Sequence, residues 1–218
     1  ERYGVVLILD EVISGFRFRA GDAGGMYGVK PDLLTLGKII GGGMPVAAVA
    51  GRAEVMNLAG RSGGNRVKFS GGTYSAHPAA LLAARAIMSH LAANEAEIYG
   101  RLASLGERAR QIMTTALEEE GIPVRCSGTG GEVLGGSSLF MLHFPLRDDA
   151  PLRRPEDWFH PGMYDQVLAH KVLDLALLLE NVFMLHAHGA VSAEHTEADI
   201  DFLGEACRRA ARRIKPYL

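Results

Sequence analysis

The chain has 218 residues, enough for one large domain or two small ones. Hydrophobic residues make up 48% and charged residues 22%, which is ordinary globular composition. A formal net charge of −2 gives no electrostatic reason to expect nucleic acid or an anionic membrane surface as a partner.

In chain order, the sequence opens with ERYGVVLILDE, without a methionine and almost at once inside a buried-type strand. Such a strand needs neighbours on both sides, so the opening has the pattern of the second half of something longer. Val5–Leu9 reads as a central parallel strand, and residues 15–32 as a glycine-rich loop with a short helix. Leu33–Leu36 reads as a second strand, leading to Gly37 and Lys38, and Pro45–Gly51 as a third. A short helix is expected over Ala53–Leu58, then a polar, mobile loop over 60–72.

Pro78–Ala92 reads as a helix with proline in its first turn. Ile98–Glu120 reads as a longer amphipathic helix that turns Leu102, Leu105, Ala109, Ile112, Ala116 and Leu117 to one face. Short strands follow around Pro123–Cys126 and Ser138–Phe144, then a loop, a helix from Met163 to Leu178 and a strand over Val182–His186. The last helix opens on the capping pattern Thr196-Glu-Ala-Asp199 and sends Ile200, Leu203, Cys207, Ala210 and Ile214 inward. Its basic end, RRAARRIK at 208–215, reads as a solvated face that suits the helix dipole. The texture changes near residue 95, which divides the chain into 1–95 and 96–218.

Cys126 and Cys207 match neither a disulfide framework nor a metal spacing, and a reducing, cytoplasmic setting fits. No apolar run approaches the roughly 18 residues of a membrane span.

Three positions carry chemistry. Asp10 ends an apolar strand, where α/β sheets bind ligands, and its carboxylate can accept a charged N–H from a ring nitrogen; a loop cap is the competing reading. Lys38 lies among Leu36, Ile39 and Ile40 and precedes Gly41–Gly43. Desolvation there disfavours the ammonium form and frees the amine as a nucleophile, while the glycines let the backbone turn tightly and a flat ligand approach. A snorkelling lysine beside a flexible turn is the alternative. Thr73 follows two glycines and precedes a helix, a place suited to binding phosphate or to capping the helix. An aldehyde for the lysine, a ring nitrogen for the aspartate and a phosphate for the threonine together describe pyridoxal phosphate.

DEV at 10–12, PDLLTLGKIIGGGMPVAA at 31–48 and GGTYSAHPAA at 71–80 resemble the class III aminotransferases. SAEHTEADID at 192–201 adds a resemblance to their glutamate-1-semialdehyde aminomutase branch. The resemblance implies the α/β fold of fold-type-I enzymes: part of the large mixed-sheet domain over 1–95 and a small α+β domain over 96–218. It implies an aminotransferase or aminomutase that uses pyridoxal phosphate, acts on a small amino or carbonyl substrate and works as at least a homodimer. Carried over, Lys38 holds the internal aldimine and shuttles a proton, and Asp10 keeps the pyridine nitrogen protonated. Val12 packs on the ring, and Thr73 binds the phosphate, usually that of a neighbouring subunit.

The family's upstream phosphate loop and ring-stacking aromatic have no counterpart in these residues. The C-terminal arginine that clamps the carboxylate of 2-oxoglutarate in many members is missing from MLHAHGAVS, 184–192. Arg17, His77 and Trp158 are further substrate-side candidates. His186 and His188, alternating on one expected strand face, form a possible metal pair without an identifiable third ligand, so no metal site is expected. A non-catalytic protein that keeps the fold for assembly or regulation is the competing class, and the presence of Lys38, Asp10 and Thr73 together argues against it.

Overall fold

A computed structural model describes residues 3–59, 72–131, 133–160 and 162–218. The expected mobile loop therefore lies, but for Gly72, outside the described residues. The chain divides into two compact units, residues 1–99 and 100–218.

The first unit holds a three-stranded sheet in the order β1-β2-β3. β1 (Ile8–Glu11) runs parallel to β2 (Leu33–Leu36), and β3 (Ala48–Gly51) returns antiparallel. A short helix α1 (Ala53–Met56) follows β3. Helix α2 (Pro78–Ala93) starts with proline, whose missing N–H needs no partner there. The His77 ring at its N-cap accepts from the Ala80 N–H at 3.4 Å.

The opening strand departs from expectation. Its ladder is Ile8–Glu11 rather than Val5–Leu9, and among the described residues it has a neighbour on one side only. Val5, Val6, Leu7 and Ile8 are accordingly exposed, Val5 to 72%.

In the second unit, β4 (Arg125–Ser127), β5 (Leu139–His143) and β6 (His188–Ala190) form an antiparallel sheet in that order. It packs into one core with helix α3 (Glu95–Glu119), helix α5 (Leu173–Leu178) and helix α6 (Glu197–Ile214). Leu105, Ala109 and Met113, then Ala116 and Leu117, follow the three- and four-residue spacing of one helix face on α3, so one stripe faces inward. Met113, Leu117, Leu142, Leu173, Leu177 and Ile200 are fully enclosed, and each stabilises the unit by about 1.5–3 kcal/mol. Thr196 and Asp199 close the expected capping box on α6, and Cys207 is buried on its inner face.

Two elements were not expected. A short helix α4 (Pro155–Phe159) lies where a loop was read, capped by Asp157, whose carboxylate accepts from the backbone N–H groups of Arg153 and Arg154. A π-helical turn over Leu168–Val172 leads into α5. The strand expected at Val182–His186 is displaced to His188–Ala190. His186 and Ala187 adopt φ of 58° and 55°, a left-handed turn that no strand can contain.

Candidate active site

The site is built at the C-terminal ends of β1 and β2. Their register sets Asp10 opposite Thr35 and Glu11 opposite Leu36. Strand alternation sends the two neighbouring carboxylates to opposite faces, Asp10 exposed and Glu11 buried.

Glu11 is consumed structurally. Its carboxylate accepts from the backbone N–H groups of Gly24 at 2.9 Å and Ala23 at 3.0 Å, and from the Ser14 hydroxyl at 2.8 Å. It thereby ties the loop after β1 to the strand end. The sequence signal for this role was the alternation itself, since a strand ending Asp-Glu must turn one of the two inward.

Asp10 is held differently. Its Oδ1 accepts from the Val12 N–H at 3.1 Å and from the Thr35 hydroxyl at 2.9 Å. No donor among the described residues meets Oδ2. The Val12 N–H chiefly, then the Thr35 hydroxyl and more weakly the Lys38 ammonium, hold the carboxyl below its ordinary range. Asp10 is therefore an anion at neutral pH with one oxygen left for a ligand.

Gly37 packs against Val12: a Cβ added there would sit 3.3 Å from Val12 Cγ1. That contact brings the Lys38 turn beside the Asp10 strand. Lys38 itself adopts φ of 47°, a left-handed conformation that costs a lysine about 1–2 kcal/mol. Residues held this way cluster at functional sites, where surrounding structure imposes the strain.

One expectation about this turn is corrected. Lys38 is exposed rather than enclosed by its apolar neighbours, because Ile40 turns into the core and leaves the lysine side chain outside. The glycines make the expected tight turn of the backbone. Gly42 and Gly43 have φ of 57° and 89°. A Cβ on Gly42 would meet the Ala83 carbonyl oxygen of α2 at 3.2 Å and Ile87 at 3.3 Å.

Thr73 lies in the turn before α2. It lines a cleft of about 330 Å³ at the start of α2, with Pro45, Val46, Ala47, Tyr74 and His77 among its walls but neither Asp10 nor Lys38. Of the substrate-side candidates, Arg17 is half-buried and donates from Nε to the Ile13 carbonyl at 3.4 Å. His77 serves as the helix cap. Trp158 is buried against Ala150 and Tyr164 in a small cluster of the second unit. His186 and His188 do not share a strand face, and no metal-sized group of three or more His, Cys, Asp or Glu side chains occurs among the described residues.

Asp10 with its free oxygen and Lys38 with its exposed amine fit the ring nitrogen and the aldehyde of pyridoxal phosphate. Residues 1–130 match the family model of the class III aminotransferases. The chain belongs to that family.

It is 36% identical over 214 residues to a glutamate-1-semialdehyde 2,1-aminomutase of Laribacter hongkongensis, covering 98% of this chain and 47% of that protein. Among solved structures it resembles an omega-transaminase from Sphaerobacter thermophilus, with a TM-score of 0.79, 32% identity and 98% of this chain against 45% of that one. A second is described as a transaminase with PLP bound, with a TM-score of 0.74, 28% identity and coverage of 98% and 45%. The fold is that of the fold-type-I transaminases. The chain spans about half the length of the curated relatives it matches.

Proposed function

We propose that these residues form part of an enzyme that transfers an amino group with pyridoxal phosphate, as an aminotransferase or an aminomutase. The observation that carries this reading is an ionised Asp10 with one free oxygen, next to a lysine held in a strained, exposed turn at the adjacent strand end. Bound pyridoxal phosphate supplies an electron sink for a substrate carbon that loses a proton. Lys38 Nζ would hold the aldehyde carbon, and its free amine would take and return that proton. Asp10 Oδ2 would accept the ring N–H and keep the nitrogen charged. Val12 would pack against the ring, and Thr73 would hold the phosphate.

In this reading residues 1–95 belong to the large cofactor-binding domain and 96–218 to a small α+β domain. The enzyme is cytoplasmic and at least a homodimer. Thr73 serves the phosphate of the cofactor held by a neighbouring copy, as the resemblance to the family implies. The segment around β6 has no arginine to clamp a second carboxylate. This favours an intramolecular amine shift, or a donor–acceptor pair other than 2-oxoglutarate.

The test uses the full-length protein. Added pyridoxal phosphate should produce a visible absorption band that Lys38→Ala abolishes, with turnover reduced by about a thousandfold or more. A wild-type protein that stays colourless with added cofactor would sink the proposal.

A further inference from the structure

Of the oxygens on Asp10, one is fully engaged. Oδ1 takes both the Val12 N–H at 3.1 Å and the Thr35 hydroxyl at 2.9 Å. The two donors differ in kind. The Val12 N–H belongs to Asp10's own strand end, two residues on, and only proline there would remove it. Thr35 reaches across from β2, where the strand register sets it directly opposite Asp10.

A carboxylate on its own has a broad, roughly two-fold terminal torsion, so either oxygen can point at a ligand. Two donors converging on one oxygen remove that freedom. Threonine suits the task, because branching at Cβ restricts its χ1 and aims the hydroxyl. A strand position between Leu34 and Leu36 has no need of a hydroxyl, and valine serves pairing equally well.

We infer that Thr35 is a positioning residue for Asp10: with the Val12 N–H it occupies Oδ1 and presents Oδ2 as the acceptor for a charged N–H. This rests on the reading of Asp10 given under the proposed function, and it assigns Thr35 a part in that reading. Thr35 itself touches no ligand. It acts through the orientation and charge of the carboxylate, which its hydroxyl helps to keep ionised.

Thr35→Val removes the donor at constant shape, and Thr35→Ser restores it. In the full-length protein, Thr35→Val should retain pyridoxal phosphate and its unfolding temperature, yet lose about tenfold in kcat with KM nearly unchanged. The pH midpoint of the bound-cofactor absorption band should move in Thr35→Val and return in Thr35→Ser. In an Asp10→Asn background, Thr35→Val should add no more than about a twofold loss.

A fully active Thr35→Val with an unmoved midpoint overturns the inference. So does a Thr35→Ser as impaired as the valine variant, or a tenfold loss that persists without Asp10. If Thr35→Val does not fold, Thr35→Cys carries the same test through its weaker donor, and wild-type kcat there overturns the inference. A wild-type protein that takes up no pyridoxal phosphate overturns the proposed function and this inference together. A coloured, active wild type beside a fully active Thr35→Val overturns this inference alone.

Discussion

His143 shows what burial does to a single titrating side chain. It is 3% exposed in β5, its Nε2 lies 2.9 Å from the Ser127 hydroxyl, and Nδ1 has no partner among the described residues. Trp158 meets it edge-on at 5.3 Å and Tyr164 at 6.0 Å. Desolvation pushes its pKa from 6.5 down to about 4. The folded chain therefore keeps the ring neutral while the unfolded chain takes up a proton near 6.5. Above that pH the contribution to stability is complete. Between 6.5 and about 4 the unfolded state binds more protons, so stability falls as pH falls. The slope from this group is at most about 1.4 kcal/mol per pH unit. Denaturant unfolding at a series of pH values should show it, and His143→Gln should flatten it. An equally steep slope in that variant would remove His143 as the cause.

Between elements, small contacts decide where long pieces sit. The basic run on α6 is not merely a solvated face. Arg209 and Arg213 bridge to Glu180 beyond α5, Arg212 to Glu120 and Arg208 to Glu119 at the end of α3. Such half-exposed pairs align helices more than they stabilise them. On α3, Arg110 is 2% exposed and donates to the carbonyls of Ser137 at 2.9 Å and Leu139 at 2.8 Å, tying the helix to the start of β5.

In the first unit the corresponding tie is Gly42, which lets the Lys38 turn rest on α2. Gly42→Ala combines a left-handed φ of 57° with a Cβ 3.2 Å from the Ala83 oxygen. We expect a loss of about 1–3 kcal/mol together with weaker cofactor uptake, because the turn must lift from the helix. Calorimetry and a cofactor titration on the full-length variant check both. Unchanged uptake would separate the turn's seating from Lys38's placement.

At the scale of the molecule, the exposed residues Val5, Val6 and Leu7 lead into the edge strand β1, which exposed Ile8 begins, and edge strands with apolar side chains recruit further strands. These 218 residues expressed by themselves should therefore self-associate in a concentration-dependent way. Val6→Lys combined with Ile8→Lys should suppress it. Light scattering after size exclusion measures both, and a monomeric parent polypeptide would refute the expectation.

The sequence by itself determined what depends on near neighbours. The capping box at Thr196 and Asp199, the inward stripes of α3 and α6, proline at the start of α2 and the motif around Lys38 are decided within a few residues. It could not reveal that Thr35 would meet Asp10, because that hydrogen bond spans 25 residues and exists only once β1 and β2 pair in register. Nor could it place β6, since Val182–His186 has the composition of a strand and the left-handed turn at His186 and Ala187 moves the pairing onward. Burial failed for the same reason. An apolar neighbourhood in sequence surrounds Lys38, and the fold turns Ile40 inward and leaves the lysine outside. Composition sets which residues prefer the interior, whereas long-range packing alone decides which of them reach it.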